Sequence, residues 1–166
     1  MFTKMADFKA GWDVEREGTL KLLRALTDAS LAQEVAPGSR TLGRIAWHMV
    51  ASVGEMARHA GLTIDAPPDD APVPATAREF VETYEKSSAA LPAAVEKAWS
   101  EADLQGTIEM YGEKWTRGQA LAVLIAHQTH HRGQMTVLMR QAGLPVPGVY
   151  GPSREEWTAY GMPAQA

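Results

Sequence analysis

The run Thr116-Arg-Gly-Gln119-Ala-Leu-Ala-Val-Leu-Ile-Ala-His127-Gln-Thr-His-His131-Arg-Gly-Gln134-Met-Thr-Val-Leu-Met-Arg140-Gln-Ala-Gly143-Leu-Pro145 decides the fold. Leu121, Leu124, Ile125, Met135, Leu138 and Met139 recur at the three- and four-residue spacing that places them on one face of a helix. Thr116 followed three residues on by Gln119 is a capping box, and Gly143 with Pro145 behind it supplies the stop. One long amphipathic helix is therefore predicted over this stretch.

Working outward, three further helices emerge. Thr76 and Glu79 form a second capping box ahead of Phe80, Tyr84, Leu91 and Val95, with Pro92 expected to kink that helix or end its regular part. Between Glu101 and Lys114 the pattern weakens, and the alternation in Thr107-Ile108-Glu109-Met110-Tyr111 fits a short extended piece or a loop equally. From Leu62 to Ala75 there are four prolines and three aspartates, which read as a crossover linker long enough to span a bundle. Ahead of it, Thr41 to Ala60 carries Leu42, Ile45, Ala46, Met49, Val53 and Met56 on one face and ends at Gly61. Ala36-Pro37-Gly38-Ser39 separates that helix from the first, Thr3 to Thr27, with Met5, Phe8, Trp12, Leu22, Leu23 and Leu26. Beyond Pro147 lies a Pro/Gly-rich tail, residues 152–166, in which Ser153 and Glu156 cap one short helix at Trp157. Four long helices imply an all-α four-helix bundle with a long crossover connection, one domain across residues 1–166.

Composition narrows the function classes. A chain of 166 residues has room for one proper core without external staples. With no cysteine there is no disulfide framework, thiolate metal site, iron–sulfur cluster or cysteine nucleophile. Sixteen basic residues against twenty acidic ones give a net charge of -4, and the basic ones are scattered, so no nucleic-acid footprint exists. No run approaches the ~20 apolar residues of a membrane span, and Lys4, Asp7 and Lys9 fall where a signal peptide needs its apolar stretch. A cytoplasmic location and a small-molecule substrate are expected.

Chemistry concentrates in the five histidines, at 48, 59, 127, 130 and 131. His127 and His131 are four apart, one turn above each other at the edge of the apolar stripe, whereas His130 is rotated away from it. Two imidazoles so placed can share one ion, and a third ligand is needed. On the second helix His48, Ser52, Glu55 and His59 share a face. His48 lies well inside the helix, and His59 sits at its C-terminal end, where the dipole favours a cation and no ligand role is required. By residues alone, the histidines read as a metal site or as polar residues of the core.

Ile45-Ala46-Trp47-His48 and His127-Gln-Thr-His-His131-Arg132-Gly133-Gln134, with Arg140-Gln-Ala-Gly143-Leu-Pro145 trailing, resemble the signature segments of the DinB/YfiT-like family. The resemblance runs to about Pro147. It implies a metal-binding bundle, often a homodimer, in which His48, His127 and His131 hold one divalent ion, zinc or nickel. It also implies metal-dependent hydrolysis or S-transfer with a low-molecular-weight thiol as the activity. Three neutral imidazoles leave open positions on an ion, as a catalytic site requires. The alternative is a non-catalytic metal-stabilised dimer, a binding or stress-response protein.

Two charged residues interrupt apolar stripes. Glu15 lies in line with Phe8, Trp12, Leu22 and Leu26, and Arg132 with Leu121, Ile125 and Met139. They are expected to pair, to border the metal pocket, or to snorkel to the bundle edge. In the second case Glu15 is a group behind the ligands or a catalytic base, and Arg132, like Arg44, an anchor for a cofactor carboxylate. Gly133 in mid-helix suggests close approach of a neighbour, Gln134 has either a ligand or solvent to face, and Trp157 and Tyr160 of the tail are placed to close a pocket end.

Overall fold

A computed structural model describes residues 1–164. Four helices, α1 (Met5–Arg24), α2 (Leu42–His59), α3 (Ala77–Ala98) and α4 (Arg117–Gln141), form the bundle. A two-stranded hairpin, β1 (Thr107–Met110) and β2 (Glu113–Thr116), precedes α4, and short 3₁₀ turns occupy Asp28–Ala32, Ala102–Gln105 and Trp157–Tyr160. The last two residues of the 152–166 tail lie outside the described residues, and within it the short helix is the 3₁₀ turn.

α2 and α4 end alike, because both helices are followed by a left-handed residue and the sequence supplies glycine at both places. Gly61 has φ 76° and Gly143 φ 73°. Leu62 N–H then donates to Ala57 O at 2.8 Å and Leu144 N–H to Met139 O at 2.9 Å, satisfying carbonyls that the helix leaves open. At the start of α4 one half of the predicted capping box forms, the Thr116 hydroxyl accepting from Gln119 N–H at 3.1 Å. The Thr76 box does not form in this way. Thr76 Oγ1 turns to Glu79 Oε1 at 2.6 Å, and the first amide of α3, Ala77 N–H, is taken by Asp28 Oδ1 at 2.7 Å from the preceding 3₁₀ turn. At the tail box only one half forms, with the Glu156 carboxylate accepting from Ser153 N–H at 3.0 Å.

α3 does not end at Pro92 but continues to Ala98. Proline has no N–H, so the carbonyl four residues back, that of Ser88, loses its helical partner. Trp12 Nε1 donates to that carbonyl at 2.9 Å from inside the core, so the interruption is repaired by a residue on α1.

The crossover is real and its path is visible. After α2 ends, the proline-rich linker returns along the same helix: Ala66 faces Gly54, and Ala71 O accepts from Trp47 Nε1 at 3.1 Å. α3 therefore starts at the end where α2 started and runs parallel to it. α1 and α4 run together the other way, since Phe2 meets Gly118, Gly11 meets Ile125 and Glu15 meets Arg132 in step. Each of α1 and α4 packs on a helix of the other pair, and apolar side chains from all four form one continuous core around Phe8, Trp12, Trp47, Phe80, Leu91 and Met135.

The hairpin settles the extended-or-loop alternative. Ile108 pairs with Trp115 and Met110 with Glu113, and the turn between the strands has Tyr111 at φ 54° and Gly112 at φ 83°. Both central residues in the left-handed region make a tight two-residue turn whose twist suits the strands. Gly133, by contrast, has open space around it, so no neighbour approaches the backbone there.

Candidate metal centre

The pairing of α2 with α4 brings the three histidines of the two segments together. Gln128, fully buried on α4, donates its amide to Met49 O at 2.8 Å and to Ser52 Oγ at 3.2 Å, locking the two helices in register one residue from His127 and from His48. His48 and His127 are half-buried and His131 is buried. His127 Nε2 lies 3.1 Å from His48 Nε2 and 3.1 Å from His131 Nε2. One ligand nitrogen from each of the three falls within 4.8 Å of the others.

That convergence has a chemical consequence. An imidazole nitrogen carries either a proton or a lone pair, so His127 Nε2 can complete a hydrogen bond with only one of its two neighbours. Three lone pairs directed at one cation leave no such conflict. Two nitrogens held ~2.0–2.1 Å from a tetrahedral ion lie about 3.3 Å apart, close to the separations observed. The donor set thus fits a divalent metal ion.

Electrostatics keep the rings available. Burial, helped by the neighbouring His131, His48 and His130, lowers the His127 pKa to about 4. Burial also lowers His48 and His131, with the positive charge of Arg40 adding to both and that of Arg44 to His48, while Glu55 acts the other way on His48 and the Gln134 hydrogen bond the other way on His131. All three are therefore neutral near pH 7, the form that ligates. The tautomer of His131 is fixed as well. Its Nδ1 lies 2.8 Å from Gln134 Oε1, an acceptor, which places the ring proton on Nδ1 and the lone pair on Nε2. Gln134, left between ligand and solvent by the sequence, is the residue that orients His131, and its amide reaches exposed His130 at 3.0 Å.

His59 does not join the cluster. It is exposed at the end of α2, its ring 4.8 Å from that of Tyr111 at the hairpin tip. The Tyr111 hydroxyl donates to Glu55 Oε1 at 3.3 Å, so the hairpin covers the face of α2 two turns along from His48. Among the described residues Glu55 is the one carboxylate whose charge registers at the triad.

Glu15 and Arg132 realise the pairing alternative. Arg132, 3% exposed, forms an ion pair with Glu15 and donates to Glu15 O at 2.7 Å, Thr19 Oγ1 at 3.1 Å, Thr129 Oγ1 at 3.0 Å and Tyr150 Oη at 2.5 Å. The Tyr150 hydroxyl in turn donates to Glu15 Oε2 at 2.6 Å, and its ring lies 5.4 Å from the guanidinium carbon. No hydrogen bond joins Glu15 or Arg132 to any of the three histidines among the described residues. Tyr150, which sequence reasoning passed over, closes this cluster; Trp157 and Tyr160 do not, Tyr160 lying exposed beside Lys21 and Gly148.

Comparison with known proteins agrees with this architecture. The DinB family model matches residues 1–165. The YrdA protein of Bacillus subtilis (strain 168) is 47% identical over 164 residues, 99% of this chain and 98% of its own length. A crystal structure of a DinB-like protein from Bacillus cereus ATCC 10987 superposes with a TM-score of 0.86 at 44% identity, covering 90% of this chain and 100% of that one. A second, the DinB-like protein YjoA from Bacillus subtilis, gives 0.63 at 21% identity over 82% and 92%, a likeness of fold alone. With its signature histidines gathered at one point between α2 and α4, this chain belongs to the DinB family.

Proposed function

We propose that the protein binds one divalent ion, zinc or nickel, through Nε2 of His48, His127 and His131, and acts with it on a small molecule, by S-transfer to a low-molecular-weight thiol or by hydrolysis. The observation that carries the reading is the position of His127 Nε2, 3.1 Å from two other ring nitrogens that a single proton cannot satisfy together. An ion held by three neutral imidazoles supplies a Lewis acid with coordination positions left for water or substrate.

The chain's own groups divide the remaining work. Gln134 orients His131, and Gln128 fixes the separation of α2 from α4. His48 and His127 are only half-buried, which leaves the triad reachable from outside. Glu55, held by the Tyr111 hydroxyl on the same helix as His48, takes the part of proton acceptor that the sequence suggests for Glu15. The Glu15 carboxylate is bound by Arg132 and Tyr150 and serves to tie α1 to α4. Arg132, with both terminal nitrogens engaged inside the protein, holds that cluster and leaves anchoring of an anionic ligand to other arginines.

The test uses zinc- and nickel-loaded protein with a chromogenic haloarene plus a low-molecular-weight thiol, and separately with an activated ester. Turnover in either assay that falls at least 100-fold in His127→Ala supports the enzyme reading. Metal-loaded protein inert in both would leave a metal-binding bundle without the proposed catalysis.

A further inference from the structure

A cavity of about 490 Å³ opens beside the triad, well within the range of small-molecule sites. Its walls are apolar: Val35 from the loop before α2, Ile45 from the first turn of α2, and Val137 and Leu138 from α4. Gln134 also lines it, and since Gln134 Oε1 is the acceptor for His131 Nδ1, one side chain joins the cavity to the metal centre. Ile45 is one turn from His48 on the same helix, so cavity and triad are neighbours along α2 as well. Val35 and Val137 are 54% and 52% exposed, so an occupant of the cavity would take their apolar surface out of water.

The polar groups of the cavity are Ser39 and Arg40, with Gln134. Six of the ten arginines, at 16, 24, 58, 78, 132 and 140, have a carboxylate partner; Arg40, like Arg44, Arg117 and Arg154, has none among the described residues, and of those four it is the one that lines this cavity. Arg40 is exposed at the rim of the cavity, where a ligand's charged end can reach it from solvent. α2 begins at Leu42, so the positive end of its dipole lies beside the same guanidinium. An unpaired cation at the mouth of an apolar cavity is complementary to an anion that carries an apolar body.

We propose that this cavity is the substrate pocket, that it takes a small monocarboxylate with a short apolar body, and that Arg40 binds the carboxylate while Val35, Ile45, Val137 and Leu138 enclose the body. The assignment as substrate pocket rests on the metal-dependent reading above. The planar guanidinium can donate two parallel hydrogen bonds to a carboxylate or a phosphate alike, and a carboxylate fits better than a phosphate ester because one lining cation offsets one negative charge but not two.

The probes are octanoate, 1-octanol and octyl phosphate, titrated calorimetrically into wild type, Arg40→Gln and Arg44→Gln, with cobalt(II) absorption recorded on the same samples. Octanoate is expected to bind at least tenfold more tightly than octanol, and Arg40→Gln to weaken octanoate at least tenfold while leaving octanol and the cobalt spectrum unchanged; the loss of one charge-assisted pair corresponds to about that factor. Arg44→Gln is expected to bind octanoate as wild type does. Equal binding of octanoate to wild type and Arg40→Gln, equal binding of octanoate and octanol, or tighter binding of octyl phosphate would each overturn the proposal. The cobalt arm decides the metal reading separately: a protein that binds octanoate through Arg40 but no cobalt keeps the ligand site and loses the metal.

Discussion

Replacing Glu15 with Gln keeps the shape of a side chain and removes a charge that a buried cation needs. Arg132 is 3% exposed and its partner carboxylate 12% exposed, so the ion pair is largely out of water. Removing one member of such a pair costs ~3–5 kcal/mol, because the other charge stays buried without compensation. Here Arg132 would keep its bonds to Glu15 O, Thr19, Thr129 and Tyr150, all neutral acceptors, which argues for the lower end. The expected loss is therefore about 3 kcal/mol. For a domain of this length that lowers Tm by roughly 6–12 °C, read by circular dichroism at pH 7 alongside urea unfolding. The double variant Glu15→Leu/Arg132→Met, which removes both charges, should recover most of the loss. Metal affinity should be unchanged in Glu15→Gln, since no hydrogen bond links the cluster to the histidines. A Tm within 1 °C of wild type, or a loss of metal with stability intact, would refute the assignment of this pair to the α1–α4 joint.

Three further outcomes are expected. Trp12→Phe strands the Ser88 carbonyl that Pro92 leaves without a helical donor, at a cost of ~1–3 kcal/mol in chemical denaturation, and adding Pro92→Ala should restore part of it by supplying the missing N–H. In the metal-free protein His127 is held at about 4 while the unfolded chain takes up its proton near 6.5. The unfolded state thus binds more protons between those values, and stability should rise with pH across that window and be lost as pH falls through it; urea midpoints at pH 7, 5.5 and 4 should show a shallower slope in His127→Gln, and an identical slope would contradict the assignment. Gln134→Leu frees the His131 tautomer and should raise the metal Kd about 10–100-fold in competition titrations without loss of helix content.

The long helices and the His127–His131 pair were legible because both depend on local periodicity, whereas it was the resemblance of the two signature segments to the DinB/YfiT-like family that joined His48 to that pair. His127 and His131 share a face by spacing alone, and His48 sits on a stripe whose neighbours Ile45 and Met49 point to the core. What escaped the sequence depends on residues that are distant along the chain. The α3 cap comes from Asp28, 49 residues away, and diverts Thr76 to Glu79; the donor that repairs Pro92 comes from Trp12, 76 residues away. Tyr150 and Arg40 lie outside the helices, where no repeat marks a side chain as inward, so the group that closes the Glu15–Arg132 pair and the cation beside the triad carry no signal in spacing. The hairpin was obscured for a local reason: its turn is Tyr111-Gly112, and a tyrosine at φ 54° replaces the asparagine or aspartate that usually announces such a turn. Gly133 misled in the opposite sense, a mid-helix glycine that faces open space.

The account stands on the triad holding a metal ion, and metal content by inductively coupled plasma mass spectrometry reaches that claim most directly. Untagged protein purified without chelator would be measured beside His131→Ala, both before and after addition of zinc and nickel. One equivalent of zinc or nickel per chain in the wild type, lost in the variant while helix content is retained, is the predicted result. Wild type that retains neither metal after reconstitution, or His131→Ala that retains a full equivalent, would contradict it.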